Sequence, residues 1–209
     1  MNFTGFSNDD FDVFSIDGLE ARMEALKERI RPKLESLGHY YAPILATLTG
    51  DEIFAHVAKH ARRTKNPPID TWVAFANNHR GYKMLPHFQI GLWGTHLFIW
   101  FAVIYESPNK QEIGKRLESQ IDQIYSEIPD DFVWSTDHTN PRAIPQSQLS
   151  KTELLSFFKN LQTTKKAEIL CGYQIDRNIA VKMEPSVLLK KIDHVFNILI
   201  PLAKITNSL

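Results

Sequence analysis

Residues 71–105 read TWVAFANNHRGYKMLPHFQIGLWGTHLFIWFAVIY, and three runs within them, TWVAFA, HFQIGLW and THLFIWFAVIY, are rich in β-branched and aromatic side chains. Such residues suit a pleated, half-buried surface. The runs are separated by NNHRGYKMLP and by Gly94 with Thr95, both turn-forming, so the pattern predicts antiparallel strands joined in a meander. LFIWFAVIY is apolar on both of its faces and far too short to span a bilayer. It predicts the central strand of a sheet, covered on both sides.

Outward from this meander the apolar spacing changes to three and four. Leu19, Met23, Leu26, Ile30, Leu34 and Leu37 form one stripe, opened by an Asp17–Glu20 capping pair, interrupted by Pro32 and ended at Gly38. Thr49 with Glu52 reads as a second capping pair, starting a helix through DEIFAHVAKHARR that stops before NPP. Residues 110–128 return to helical spacing, and DFVWS reads as a short strand followed by a loop over 136–149. Ser150 with Glu153 caps a further helix, AEILCGYQI is a strand, and residues 186–205 form the last helix. This order predicts an α+β fold, a two-layer domain with a mainly antiparallel sheet packed against helices, in one domain over 1–209.

Composition narrows the function classes. At 209 residues, 43% apolar and 23% charged, the chain reads as a soluble folded protein. Lysine plus arginine equals aspartate plus glutamate at 24 each, which excludes a bulk polycation and leaves any electrostatic attraction to a local patch. The single cysteine, Cys171, excludes an internal disulfide framework and sits in an apolar run as a small buried hydrophobe. The early acids and broken apolar pattern at the N-terminus are not those of a secretory signal, so a cytoplasmic location without membrane attachment is expected.

The charge distribution supplies the candidate site. From Ile53 to Tyr105 the chain carries Lys59, Arg62, Arg63, Lys65, Arg80 and Lys83 against one acid, Asp70. If the segments around 56–63 and 77–83 meet, His60, Arg63, Arg80, Lys83 and His87 form an anion-binding set, with Trp72 and Tyr82 as an apolar wall. His56 and His60 stand four apart, a metal-compatible helical spacing. However, HVAKH lacks the glutamate of a zinc protease and places Lys59 beside the pair, so no metal is expected. Asp70, Glu106, Asp137 and His138 are the candidates for acid–base chemistry, and STDHTNPR sets Ser135 beside the last two. Neighbours in STDHTNPR cannot aim at one another as a nucleophile triad does. Nucleic acid is not the expected partner, because the glycine–aromatic signatures of sheet-based RNA readers are absent.

The string HVAKHARRTKNPPIDTWVAFANNHRGYKMLPHFQIG at 56–91, together with DFDVFSIDGLEARMEALKERIRPKLESLG and FVWSTDH, resembles the YktB family of cytoplasmic proteins from low-GC Gram-positive bacteria. The resemblance covers roughly residues 9–205 and implies a compact single-domain α+β fold. It carries no activity, substrate, cofactor or catalytic residue onto this chain. Three readings stand open: a binding domain for a small phosphate- or carboxylate-bearing ligand, an enzyme on such a metabolite using His60 or His87 as acid or base, and a module docking an acidic protein.

Overall fold

The computed structural model describes residues 3–207. One seven-stranded sheet is built from β1 (Phe54–Val57), β2 (Asp70–Ala76), β3 (His87–Trp93), β4 (His96–Val103), β5 (Val133–Ser135), β6 (Ile144–Pro145) and β7 (Ile169–Asp176). The spatial order is β1-β2-β3-β4-β7-β5-β6, and every neighbouring pair is antiparallel. The expected meander is β2–β3–β4, and β4 is indeed the middle strand, with all eight residues buried. The α+β class read from the sequence is therefore the observed one.

The helices gather on one face. They are α1 (Asn8–Asp12), α2 (Leu19–Ala25), α3 (Arg31–Thr49), α4 (Lys110–Ser119), α5 (Ile121–Glu127), α6 (Lys151–Thr163), α7 (Arg177–Ala180) and α8 (Pro185–Asn207). Period-two alternation points Leu97, Ile99, Phe101 and Val103 of β4 into the main core with Val73, Phe75, Phe88 and Ile90. From the helical side Leu34, Leu37, Phe158, Val195 and Phe196 meet them. Ser150 and Glu153 form the expected capping box at α6, a feature worth about 1 kcal/mol.

Several local expectations are corrected. Residues 52–63 are not a helix: Phe54–Val57 forms the edge strand β1, with Phe54 opposite Ala76 and Val57 opposite Val73. His56 and His60 consequently share no helical face, and Arg62 and Arg63 flank no helix terminus. Thr49 closes α3 instead of opening a helix, donating its hydroxyl to Leu45 O, while Gly50, at φ +83°, supplies the left-handed cap. Gly38 does not end its helix. It lies inside α3 where a Cβ would come within 3.0 Å of Ala55 Cβ and 3.3 Å of Val73 Cγ2, so its smallness lets helix and sheet approach. Pro32 is absorbed by a π-helical turn at Leu26–Ile30, which widens the ladder just before the residue that cannot donate. Gly18, not Asp17, precedes α2, again at positive φ. The 110–128 helix is broken at Gln120 into α4 and α5.

Among the described residues, no helix packs on the other face of the sheet. Trp93, Phe98, Trp100, Ala102, Ile104 and Leu170 form a second apolar cluster there, joined by half-buried Trp72, Val133 and Ala143. Gly91 on β3 and Gly172 on β7 make this layer possible. A Cβ at Gly91 would fall 2.3 Å from the Phe98 ring, and one at Gly172 would fall 1.9 Å from Ile99 O and 2.9 Å from the Trp100 ring. We expect Gly172→Ala to lower unfolding free energy by at least about 1–3 kcal/mol in urea denaturation. Gly81→Ala, where a Cβ meets nothing within 4 Å, should stay within about 0.5 kcal/mol.

Candidate functional site

The polar residues of the helix-free face lie among these aromatics. A small cleft is lined by Asp70, Trp72, Gln89, Trp100, Ser135 and His138. The loop after β5 forms one wall, tied down where Gln174 Nε2 donates to Pro141 O at 3.1 Å. The loop after β2 lies outside the cleft lining and is joined to it through Trp72. In it Tyr82 accepts a 2.9 Å bond from Trp72 Nε1, and its ring packs edge-on against His87 at 4.8 Å.

Glu168 organises this face. It immediately precedes β7, is 4% exposed, and accepts from Tyr105 N at 3.2 Å and from His138 N at 2.9 Å. His138 Nδ1 lies 2.8 Å from both of its carboxylate oxygens. One buried carboxylate thus holds the end of the central strand, the backbone of the β5 loop, and the orientation of an imidazole. Among the described residues Nε2 of His138 meets no hydrogen-bond partner. Burial alone lowers the His138 pKa, but the hydrogen bond and charge of Glu168 more than reverse this, and the net shift is upward. Asp70 is pushed up to about 6 by burial, with partial opposition from the charges of His138 and Arg63. Two groups lining one cleft are therefore both shifted upward, Asp70 by burial and His138 by its carboxylate partner.

The segments around 56–63 and 77–83, whose meeting the sequence leaves open, do meet. His56 Nε2 lies 2.7 Å from Asn78 O, its ring is 5.8 Å from Tyr82, and the Phe54 and His79 rings approach to 5.9 Å. The basic residues nevertheless divide. His60, in the turn after β1 at φ +50°, contacts Thr71 Oγ1 at 3.2 Å and the Trp72 ring edge-on, and burial followed by the Arg63 charge lowers its pKa to about 4. Arg63 is exposed within electrostatic range of Asp70. Lys83 pairs with Glu106 at 3.4 Å and is near enough to His138 to oppose its protonation. Arg80 is exposed at the turn, its side chain without a hydrogen-bond or ion-pair partner among the described residues. His87 is 1% exposed, with Nδ1 on Leu85 O at 2.7 Å and Nε2 on Gln89 at 2.8 Å, and burial lowers its pKa to about 4. It supports the site from within and has no nitrogen left for a ligand.

The His138–Glu168 pair escaped the reading of STDHTNPR, in which Asp137 is the adjacent acid. Asp137 instead turns its carboxylate to Thr139, at 2.8 Å from the amide and 2.6 Å from the hydroxyl. The signal for Glu168 was a lone acid at the head of the apolar strand that also contains Leu170 and Cys171. Ligand atoms of Asp137, His138 and Glu168 lie within 4.8 Å of one another, a spacing that suits a divalent ion. As the residues stand, the Nδ1 proton occupies the space between ring and carboxylate, and a metal there would have to replace that bond.

A family profile described as a domain of unknown function, DUF1054, matches residues 6–203, and the chain belongs to that family. Relatives described as UPF0637 proteins include one from Bacillus velezensis, 56% identical over 191 residues that cover 91% of each chain. Another, from Bacillus licheniformis, is 51% identical over 208 residues, all of this chain and 99% of the relative. A third, from Bacillus cytotoxicus, is 49% identical over 207 residues, 99% of this chain and all of the relative. No described helix is long and apolar enough to cross a membrane.

Two titrations follow from this geometry. In wild type, the His138 ring should titrate above 6.5 by imidazole NMR. In Glu168→Gln the supporting charge is gone while burial remains, so it should titrate below 6.5. The second concerns His87, whose folded pKa is depressed, so its contribution to stability is present above about 6.5 and is lost as pH falls toward 4. The loss is on the order of 3 kcal/mol. Urea midpoints measured from pH 7 to pH 4 should fall steeply in wild type and less so in His87→Gln.

Proposed function

We propose that the helix-free face binds a small phosphate- or carboxylate-bearing molecule and carries out acid–base chemistry on it, with His138 as the proton-transferring group. The observation that carries this reading is the buried Glu168 carboxylate on Nδ1 of a half-buried imidazole whose Nε2 is free. Such a carboxylate fixes the ring's tautomer and favours its charged form, so that Nε2 can give and take a proton near neutral pH. Asp70, with its carboxyl raised to about 6, is the second group able to change protonation in that range. Arg63 and Lys83 supply the cationic rim, Arg80 extends it outward, His60 stands beside it as a neutral imidazole, and His87 supports it from the interior. Trp72 and Tyr82 form the wall. In this reading the site belongs to a single domain in the cytoplasm, as the YktB resemblance implies.

Binding without turnover is the second reading. The observation behind it is space: the cleft holds about 20 Å³, room for one water. A ligand must therefore displace the 139–143 part of the loop, beyond the anchored His138. A thermal-shift screen over nucleotides, sugar phosphates and polycarboxylates separates the outcomes. A true ligand at about a hundred times its Kd should raise Tm by roughly 5 °C, with the effect weakened in Lys83→Ala. Phosphorus and proton NMR of each hit should show conversion by wild type that falls about a hundredfold or more in His138→Gln and Glu168→Gln. Stabilisation without conversion selects the binding reading. The absence of any stabilising ligand, or stabilisation unchanged in both Lys83→Ala and His138→Gln, overturns both.

A further inference from the structure

We propose a second binding site, on the helical side of the sheet, for a small apolar molecule with a carboxylate head. A cavity of about 420 Å³ opens where the end of α3, the loop between β2 and β3, and the start of α4 converge. This is the size range of small-ligand pockets. Its wall is apolar, with Phe75, Phe88, Phe101 and Ile113 among the lining residues. Met84 is at the rim, 62% exposed, and its unbranched side chain can adapt to different occupants. The first site shares none of these residues.

Two independent features mark the polar end. The ten-residue helix α4 begins beside the cavity, and its N-cap residue, Asn109, makes no side-chain capping bond. The amides of its first turn therefore lack a side-chain acceptor at the positive end of the helix. Ser107, two residues earlier, also lines the cavity. It is 3% exposed, and its Oγ has no hydrogen-bond partner among the described residues. A buried hydroxyl in that state is costly, and an acceptor within the cavity relieves it.

A carboxylate satisfies both features, accepting from the Ser107 hydroxyl while sitting in the field of the helix end. Arg116, on the same wall, brings a guanidinium that it shares with Glu112 at 3.9 Å and Thr206 O at 3.5 Å. Glu112, the acid on that turn, is already accompanied by Lys115 at 3.5 Å and Arg116 at 3.9 Å. Asp51 is the remaining acid of the lining, beside the end of α3. A neutral alcohol would meet the serine without gaining from the helix end, and an amine would be opposed by the helix end and by Arg116. The ligand class is thus a straight-chain or aromatic carboxylic acid of modest length.

Octanoate, 1-octanol and octylamine are the probes, read by carbon-13 methyl NMR of the methionines. Octanoate should shift the Met84 methyl while leaving Met23 and Met183 in place, and it should bind at least about tenfold more tightly than octanol or octylamine. Ser107→Ala should weaken octanoate by about tenfold or more without lowering the stability of the free protein, since the lost hydroxyl had no partner. Arg116→Gln, at a partly exposed position, should weaken it as well. His138→Gln should bind octanoate as wild type does, which separates this site from the first. No response at Met84, equal binding of octanol or octylamine, or undiminished octanoate binding in Ser107→Ala and Arg116→Gln overturns the proposal.

Discussion

Strand β4 has no solvent side, and the rest of the molecule is arranged to cover it. It pairs with β3 along one edge and β7 along the other, so both rows of its backbone groups are satisfied within the sheet. Its two faces are covered by different means. Leucine, isoleucine, phenylalanine and valine meet the helices on one side, as in any two-layer domain. On the other side aromatic rings lie down on the sheet itself, and two glycines on the flanking strands leave room for them. A thin aromatic layer of this kind needs a cover, and here loop residues such as Ala143 supply it. Loops are the segments best able to bring polar groups to a surface.

Glu168 converts that covering loop into a site. A carboxylate buried to this depth is tolerable only with several donors, and here they come from Tyr105, from the His138 backbone and from the His138 ring. The bonds tie the chain leaving β4 to the loop leaving β5. The same charge that anchors the loop also sets the protonation of the imidazole. Loop anchor and imidazole protonation are therefore not separable: removing the carboxylate should free the loop and depress the histidine together. The geometry of the candidate site rests on a strand end, which is more exact than a loop alone.

The parts of the fold legible in the sequence were those with long, regular period: β2, β3, β4, the α6 capping box and α8. The 52–63 segment was illegible for a definite reason. HVAKH offers helical spacing of like residues, whereas β1 is a four-residue edge strand whose identity comes from pairing with Ala76 through Val73, a tertiary fact. Gly38 misled in a related way, because a helix-ending residue and a close-packing residue are the same letter. Within the candidate site, Trp72, Tyr82, Lys83 and Asp70 could be named in advance because they cluster along the chain. Glu168 could not be. It stands 30 positions from His138, and nothing local distinguishes it from a wet acid at a strand end. The parity it shares with Leu170 and Gly172, which places it on the aromatic face, becomes meaningful only once that face is known to be buried.

The basic excess between Ile53 and Tyr105 also has a different meaning in three dimensions. It does not make a uniform positive surface, because acids lie against it: Glu106, just beyond the segment, pairs with Lys83, and the segment's own Asp70 lies in the range of Arg63. A field of mixed sign near an aromatic floor attracts anions weakly at long range, since opposed charges a few ångströms apart cancel beyond a Debye length. At short range it discriminates strongly. A ligand gains only if its negative groups meet the cations while its remaining polar atoms match the carboxylates, and any other arrangement leaves a buried charge opposed or unpaired. Arranged this way, the charges suit selection of one orientation of a small molecule better than capture of a polyanion or of an acidic protein surface.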